Sequence, residues 1–333
     1  MLSLCLLSLA ALAVASPIGS IQDYARALKH VARQSVGEQD VDNFAFYAQH
    51  SGAAYCNSDA AVGSPITCGG NCPTIEANGA TILGTFDGFW TGIAGYVSVD
   101  NARSEIVFSV RGSSNILNWI SNLNFNLVDS PLTSGAEVHD GFQSAWDEMS
   151  EGVTAAINDA VASYAGYRIV ATGHSLGGAV ATLGAAQLRN DGHQVDIYTF
   201  GAPRVGNDVV SDYISAQAGP EFRITHLDDP VPRLPPITFG YRHTSPEYWL
   251  SGTESTGEDY PLEEIQVCVG NDNVDCNAGT FGLNVGAHST YFGPVSECTR
   301  AATTAGISAQ DDEELESRLD TWVQEDIDFV KGG

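Results

Sequence analysis

The chain has 333 residues, 43% of them apolar and 17% charged, and a net charge of −27. Such a composition fits a globular protein with one large core or two and excludes a disordered chain. The acidic excess argues against a nucleic acid partner, whose phosphates would be repelled, and disfavours docking on anionic membranes by charge; a neutral or apolar interface stays open.

Residues 1–15 are apolar and end in Ala13-Val14-Ala15, the small-residue spacing of a cleavage site. The run is too short to span a bilayer comfortably and reads as a secretory signal peptide, although it lacks an early Lys or Arg. Residues 16–33 hold Arg26, Lys29 and Arg33 and read as a pro-segment. One domain is expected over 34–300 and an acidic tail over 301–333. No later stretch has the length and apolarity of a transmembrane helix, so the expected product is extracellular. Cys5 leaves with the signal. Cys56, Cys68, Cys72, Cys268, Cys276 and Cys298 remain, and an even number in a secreted chain predicts three disulfides of open connectivity. Cys68/Cys72 and Cys268/Cys276 are close enough in sequence to clip loops.

Apolar residues at helical spacing predict a helix over about 41–55. Residues 80–86, 91–99 and 103–110 read as strands. Residues 115–128 contain no charge. Ile116, Trp119, Ile120 and Leu123 share one helical face, which suits either a core helix or a short lid that covers a site. A helix over 143–164 follows, then an apolar strand at Ile169-Val170-Ala171. Further along come a strand over 195–200, a helix over 208–217 and a strand over 222–226. This alternation predicts an α/β fold with a mostly parallel sheet, whose sites lie at the C-terminal strand ends. In the tail, Leu315, Leu319, Trp322, Val323 and Ile327 stripe a very acidic helix that either packs on the body, near the lid, or is trimmed away.

The centre of the chain is Gly173-His174-Ser175-Leu176-Gly177, set between the apolar strand and a helix rich in Ala and Gly. A G-x-S-x-G turn in that context exposes a strained Ser as a nucleophile, and the helix N-terminus beyond it stabilises negative charge. A Ser nucleophile needs a base and a carboxylate, in the order Ser, Asp or Glu, His in this architecture. Asp228 and Asp229 close the 222–226 strand. Only His243 and His288 come later, and a late loop favours His288.

In order, Arg111-Gly112-Ser113, Asn118-Trp119-Ile120, His139-Asp140-Gly141-Phe142, the Ser175 turn, Gly201-Ala202-Pro203-Arg204-Val205-Gly206-Asn207, Val231-Pro232-Arg233-Leu234-Pro235-Pro236 and Tyr291-Phe292 resemble the filamentous-fungal secreted lipases of the class 3 family. The resemblance runs from about Asp42 to Cys298. It implies an α/β hydrolase: a central, mostly parallel mixed sheet flanked by helices, with a short helical lid over 115–123 centred on Trp119. It also implies Ser175 as nucleophile, Asp229 and His288 as its partners, and Ser113 and Leu176 as oxyanion donors. Asp228 stands where that family often has an uncharged residue. The pairings Cys56–Cys298 and Cys68–Cys72 are implied too, with Cys268 and Cys276 remaining.

The expected activity is hydrolysis of triacylglycerols at a lipid–water interface through an acyl-enzyme, with phospholipase A1 activity as an extension. A monomer is expected, with no cofactor and no metal. Asn271-Asp272-Asn273-Val274-Asp275 and residues 311–314 read as solvated acidic stretches rather than Ca²⁺ sites. A feruloyl-type or other soluble-ester carboxylesterase on the same fold is the alternative, and a non-catalytic lipid- or wall-binding protein is a third reading.

Overall fold

The computed structural model describes residues 36–252, 259–296 and 309–332. The expected signal peptide, pro-segment and Cys298 lie outside the described residues. Helix α1 (Glu38–Asn57) starts earlier than its apolar spacing predicts, because the Asp40 carboxylate accepts the Gly37 N–H and caps the first turn. Helix α2 (Pro73–Asn78) follows, with Pro at its first position. Then come β1 (Thr81–Asp87), β2 (Ala94–Asp100) and β3 (Glu105–Val110).

After β3 lies the short helix α3 (Ile116–Ser121), capped by the Asn115 side chain, which accepts the Asn118 N–H at 3.0 Å. A two-stranded ribbon, β4 (Leu127–Asp129) and β5 (Glu137–His139), leads into α4 (Asp140–Ser163). Helix α4 begins three residues before the expected start because His139 Nδ1 accepts the Gly141 N–H. The remaining elements are β6 (Arg168–His174), α5 (Leu176–Asn190), β7 (Val195–Phe200), α6 (Asp208–Ala216), β8 (Glu221–His226), β9 (Glu247–Leu250), β10 (Ile265–Cys268), α7 (Val285–Ser289) and α8 (Ala309–Gly332).

Eight strands form one sheet in the order β1-β2-β3-β6-β7-β8-β9-β10. Only β2 and β10 run against the common direction. The strand residues divide by parity. Ile106, Phe108, Ile169, Ala171 and Ile197 pack with α4 and α5, while Val107, Val170 and Tyr198 pack with α1. Burial on both faces is why these strands read as continuous apolar runs instead of alternating ones. Strands β9 and β10 were not anticipated: four residues each are too short to carry a periodicity.

Two disulfides, Cys68–Cys72 and Cys268–Cys276, join neighbouring cysteines. Cys56 is also disulfide-bonded. The acidic helix α8 lies against the body. Its Leu315 and Leu319 are buried in a small cluster with Ile120 of α3 and with Val231 and Leu234 after β8. Asp326, also buried, accepts hydrogen bonds from the Ile237 and Thr238 N–H groups and pairs with Arg204 at 3.3 Å.

Candidate active site

The Ser175 turn is forced by close packing. A Cβ on Gly173 would run into the Gly177 carbonyl, and one on Gly177 would run into the Val110 carbonyl of β3. With both positions reduced to glycine, β6 and α5 approach closely enough to fold the chain back at Ser175. Ser175 takes φ 58° and ψ −134°, a strained conformation for a residue with a side chain. Its N–H donates to the Phe200 carbonyl at 2.9 Å, which ties the turn to β7.

The sheet brings three separated residues to one edge. Asp229 lies just past β8 and is fully buried. Both of its carboxylate oxygens are 2.9 Å from His288 Nδ1, Tyr291 OH donates to Oδ2 at 2.6 Å, and the Val231 N–H donates to Oδ1 at 2.9 Å. A carboxylate that only accepts places the His288 proton on Nδ1. His288 Nε2 is left with its lone pair, buried and without a hydrogen-bond partner, and Ser175 Oγ is in the same condition. His288 sits on α7 and not on the open loop expected for it. The Asn284 side chain accepts the Ala287 N–H and caps that helix, so the turn that carries the ring is fixed at its start.

Asp228 and Asp229 are adjacent in sequence but part company in space. Asp228 Oδ1 accepts from Asn284 Nδ2 at 2.7 Å and does not touch His288. His243 is buried elsewhere, with Nε2 against the Pro232 carbonyl at 2.6 Å. Burial, with the nearby Arg223 and Arg204 charges, holds His243 well below the ordinary histidine range.

Two supporting residues were not singled out from the sequence. His174 Nε2 donates to the His288 carbonyl at 2.8 Å, while its Nδ1 accepts from Tyr55 OH at 2.9 Å. Burial, reinforced by His288, depresses its pKa well below the usual value, so it stays neutral as this pair of bonds requires. Tyr291 is the second; burial and the Asp229 charge raise its phenol well above the normal range and keep it a donor. Its place in the quoted Tyr291-Phe292 pair was the available signal, but an aromatic pair says nothing about where a hydroxyl points.

The oxyanion candidates occupy the loop after β3 and the start of α5. Leu176 is the first residue of α5, where helix N–H groups lack intrahelical partners. The Ser113 hydroxyl is within 3.3 Å of both the Asn115 carbonyl and the Asn115 N–H, a local turn contact. Of the residues expected to form a lid, Trp119 stacks on Phe142 at 6.5 Å and Ile120 is buried under α8, while Ile116 and Leu123 are half-buried beside it. Among the described residues, Cys68, Cys72 and Glu76 are the one group close enough to share a metal ion, and the two cysteines are joined to each other.

Residues 107–239 match the protein family Lipase (class 3). The chain is 51% identical over 332 residues to the secreted mono- and diacylglycerol lipase 1 of Fusarium solani, covering 99% of each chain. It is 39% identical over 268 residues to the secreted mono- and diacylglycerol lipase A of Penicillium cyclopium, covering 78% of this chain and 87% of that one. Its fold is similar to the crystal structure of the mono- and diacylglycerol lipase from Aspergillus oryzae. The TM-score is 0.74 at 35% identity, over 79% of this chain and 99% of the other.

Proposed function

The chain belongs to the class 3 lipase family and is a secreted carboxylic ester hydrolase; from that premise we propose that Ser175, His288 and Asp229 cleave the ester bonds of acylglycerols. The observation that carries this reading is the pair of buried, unpartnered atoms, Ser175 Oγ and His288 Nε2, on a ring whose other nitrogen is held by Asp229. A buried polar atom left unsatisfied costs stability, so its persistence points to use.

His288 Nε2 takes the Ser175 proton as Oγ attacks the ester carbonyl. The negative oxygen is met by the N–H groups of Leu176 and of Ser113. His288 then gives its proton to the departing alcohol, leaving an acyl-Ser175. Water repeats the sequence and releases the fatty acid. Asp229 stabilises the imidazolium in both halves without taking its proton. The Ser113 hydroxyl would join them by exchanging its turn contact with the Asn115 carbonyl, at the start of α3, for the oxyanion. Such contacts tighten when substrate binds, so a loose arrangement in the free enzyme is compatible with this role.

The names of the relatives support mono- and diacylglycerols as substrates. Triacylglycerol and the sn-1 ester of phospholipids are extensions of the same reaction. The test is the initial rate on emulsified monoolein, diolein, triolein and phosphatidylcholine, beside a dissolved feruloyl ester and a Ser175→Ala control. Hydrolysis of the partial glycerides, lowered by about 10⁵-fold or more in Ser175→Ala, is expected. Preference for the dissolved ester would replace the lipase reading by the esterase one. Equal rates for both proteins on every ester would remove catalysis by Ser175.

A further inference from the structure

The most exposed large apolar side chains among the described residues are adjacent: Phe89 at 83% and Trp90 at 85%. They stand at the tip of the β1–β2 hairpin with ring centroids 4.9 Å apart, edge to face. The tip, Gly88-Phe89-Trp90-Thr91-Gly92, has no charged residue. It is closed by the Gly88 N–H on the Ile93 carbonyl at 2.7 Å and the Gly92 N–H on the Gly88 carbonyl at 3.0 Å.

It is also clamped from below. Glu148 of α4 accepts the Trp90 N–H at 2.9 Å, the Thr91 N–H at 3.0 Å and the Thr91 hydroxyl. The Glu148 carboxylate is thereby occupied by the tip's own N–H and hydroxyl groups. A loop fixed in this way holds its aromatics outward at little further entropic cost on binding.

The hairpin lies on the edge of the sheet that carries the Ser175 turn. Strands β1 and β3 end at that edge, and the Arg111 guanidinium donates to the Gly92 carbonyl at 2.8 Å. The next residue, Gly112, faces the Ser175 turn: a Cβ placed on it would come within 2.9 Å of Ser175 Cβ. Aromatic side chains, Trp above all, favour the boundary between water and lipid, where an apolar ring is buried. A chain of net charge −27 lacks the general cationic attraction to anionic surfaces, so an apolar tip suits an uncharged lipid surface.

We propose that Phe89 and Trp90 form a fixed anchor that inserts into an uncharged lipid surface and presents the edge bearing Ser175 to it. The anchor acts on surface capture and leaves the chemical step alone. This deepens the reading of the protein as a lipase that works at a lipid surface.

The test uses the full chain. Binding to triolein droplets is measured by flotation in the Ser175→Ala background, so that the droplets stay intact, with and without Phe89→Ser and Trp90→Ser. Hydrolysis of dissolved p-nitrophenyl acetate is measured with Ser175 present. Droplet affinity is expected to fall roughly tenfold for each aromatic removed, with the dissolved-ester rate unchanged. Trp90→Phe restores most of the binding. Droplet affinity within twofold of the parent in the double variant overturns the proposal. So does a shift in the elution volume of the free protein without a change in droplet binding, which would assign the tip to contact between copies. A parent chain that hydrolyses no ester yet binds droplets through the tip would remove the catalytic reading and keep the anchor.

Discussion

Asp229 is held by an imidazole, a phenol and a backbone N–H, all within 2.9 Å, whereas Ile120 of α3 is held by Val231, Leu234, Leu315 and Leu319 through apolar contact. The Asp229 corner is directional: each atom has one good position, and losing one donor leaves a buried group unsatisfied. The apolar corner around α3 is non-directional. Its contacts exchange for others of the same kind, so α3 can leave one apolar surface for another at modest cost. The proposed chemistry, which needs fixed geometry, and the proposed cover, which needs to move, thus rest on different forces. Helix α8 joins the two kinds. Its first half packs on α3 through leucines, and its second half is pinned by the buried Asp326.

The strongest way to sharpen this contrast is to exchange the two neighbouring aspartates. Asp229→Asn is expected to lower kcat about 10⁴-fold, because an amide can direct the wrong nitrogen of His288 toward Ser175. Asp228→Asn keeps an acceptor for Asn284 and is expected to change kcat by no more than a few-fold. Steady-state rates on a dissolved ester decide it, and equal losses would erase the distinction between the two positions.

Next in size is the anchor of α8. Burial lowers the Arg204 pKa to about 10 against the pull of Asp326, so the guanidinium stays charged at neutral pH. Asp326→Ala leaves that charge buried without its partner and is expected to destabilise the protein by about 3 kcal/mol. Urea denaturation measures it. A change under about 0.5 kcal/mol, the usual range for surface substitutions, would mean that α8 is loosely attached.

The apolar half of α8 gives a smaller and more local effect. Leu315→Ala with Leu319→Ala removes the side chains that cover Ile120. Cleavage by added protease within 115–123 is expected to speed up by about tenfold or more, the opening free energy falling by at least one leucine truncation's worth. The kcat on a dissolved ester should not fall. A fall in kcat would show that α8 also supports the Asp229 corner.

The last effect is on pH dependence, and it comes from buried histidines outside the Ser175–His288–Asp229 set. Burial, aided by the Arg103 charge, lowers the His50 pKa to about 3, and unfolding returns it to about 6.5. Between those values the unfolded chain binds a proton that the folded chain refuses. His50 therefore contributes stability above pH ~6.5, and that contribution is lost as the pH falls toward ~3. His174 and His243 act in the same direction. The Tm should drop from pH 7 to pH 4, and less steeply in His50→Gln. Identical slopes would remove His50 from this account.

Much of this architecture can be read from the residues in order. The Gly173 and Gly177 pair around Ser175 marks a tight strand-to-helix turn: the demand at Gly173 is local, against the Gly177 carbonyl, although the demand at Gly177 comes from the Val110 carbonyl of β3. The doubly buried strands announce themselves as apolar runs, and their alternation with helices dictates a parallel sheet. The uncharged stripe Ile116, Trp119, Ile120 and Leu123 defines an apolar face, as the stripe from Leu315 to Ile327 does in the tail. Neither stripe names its partner, since periodicity fixes which face is apolar and not what will cover it.

Only the folded chain parts Asp228 from Asp229, because the bend after β8 sends the one to Asn284 and the other to His288. It alone sets the proton of His288 on Nδ1, through a carboxylate 59 residues away, and puts Tyr55 and His174 behind the His288 backbone. It seats α8 on α3 and stands Phe89 and Trp90 exposed at the end of the sheet that carries the Ser175 turn. Steric limits and periodicity act over a few residues and are written in the sequence. Hydrogen-bond partners and apolar covers are chosen among groups far apart in the chain, and only packing brings those together.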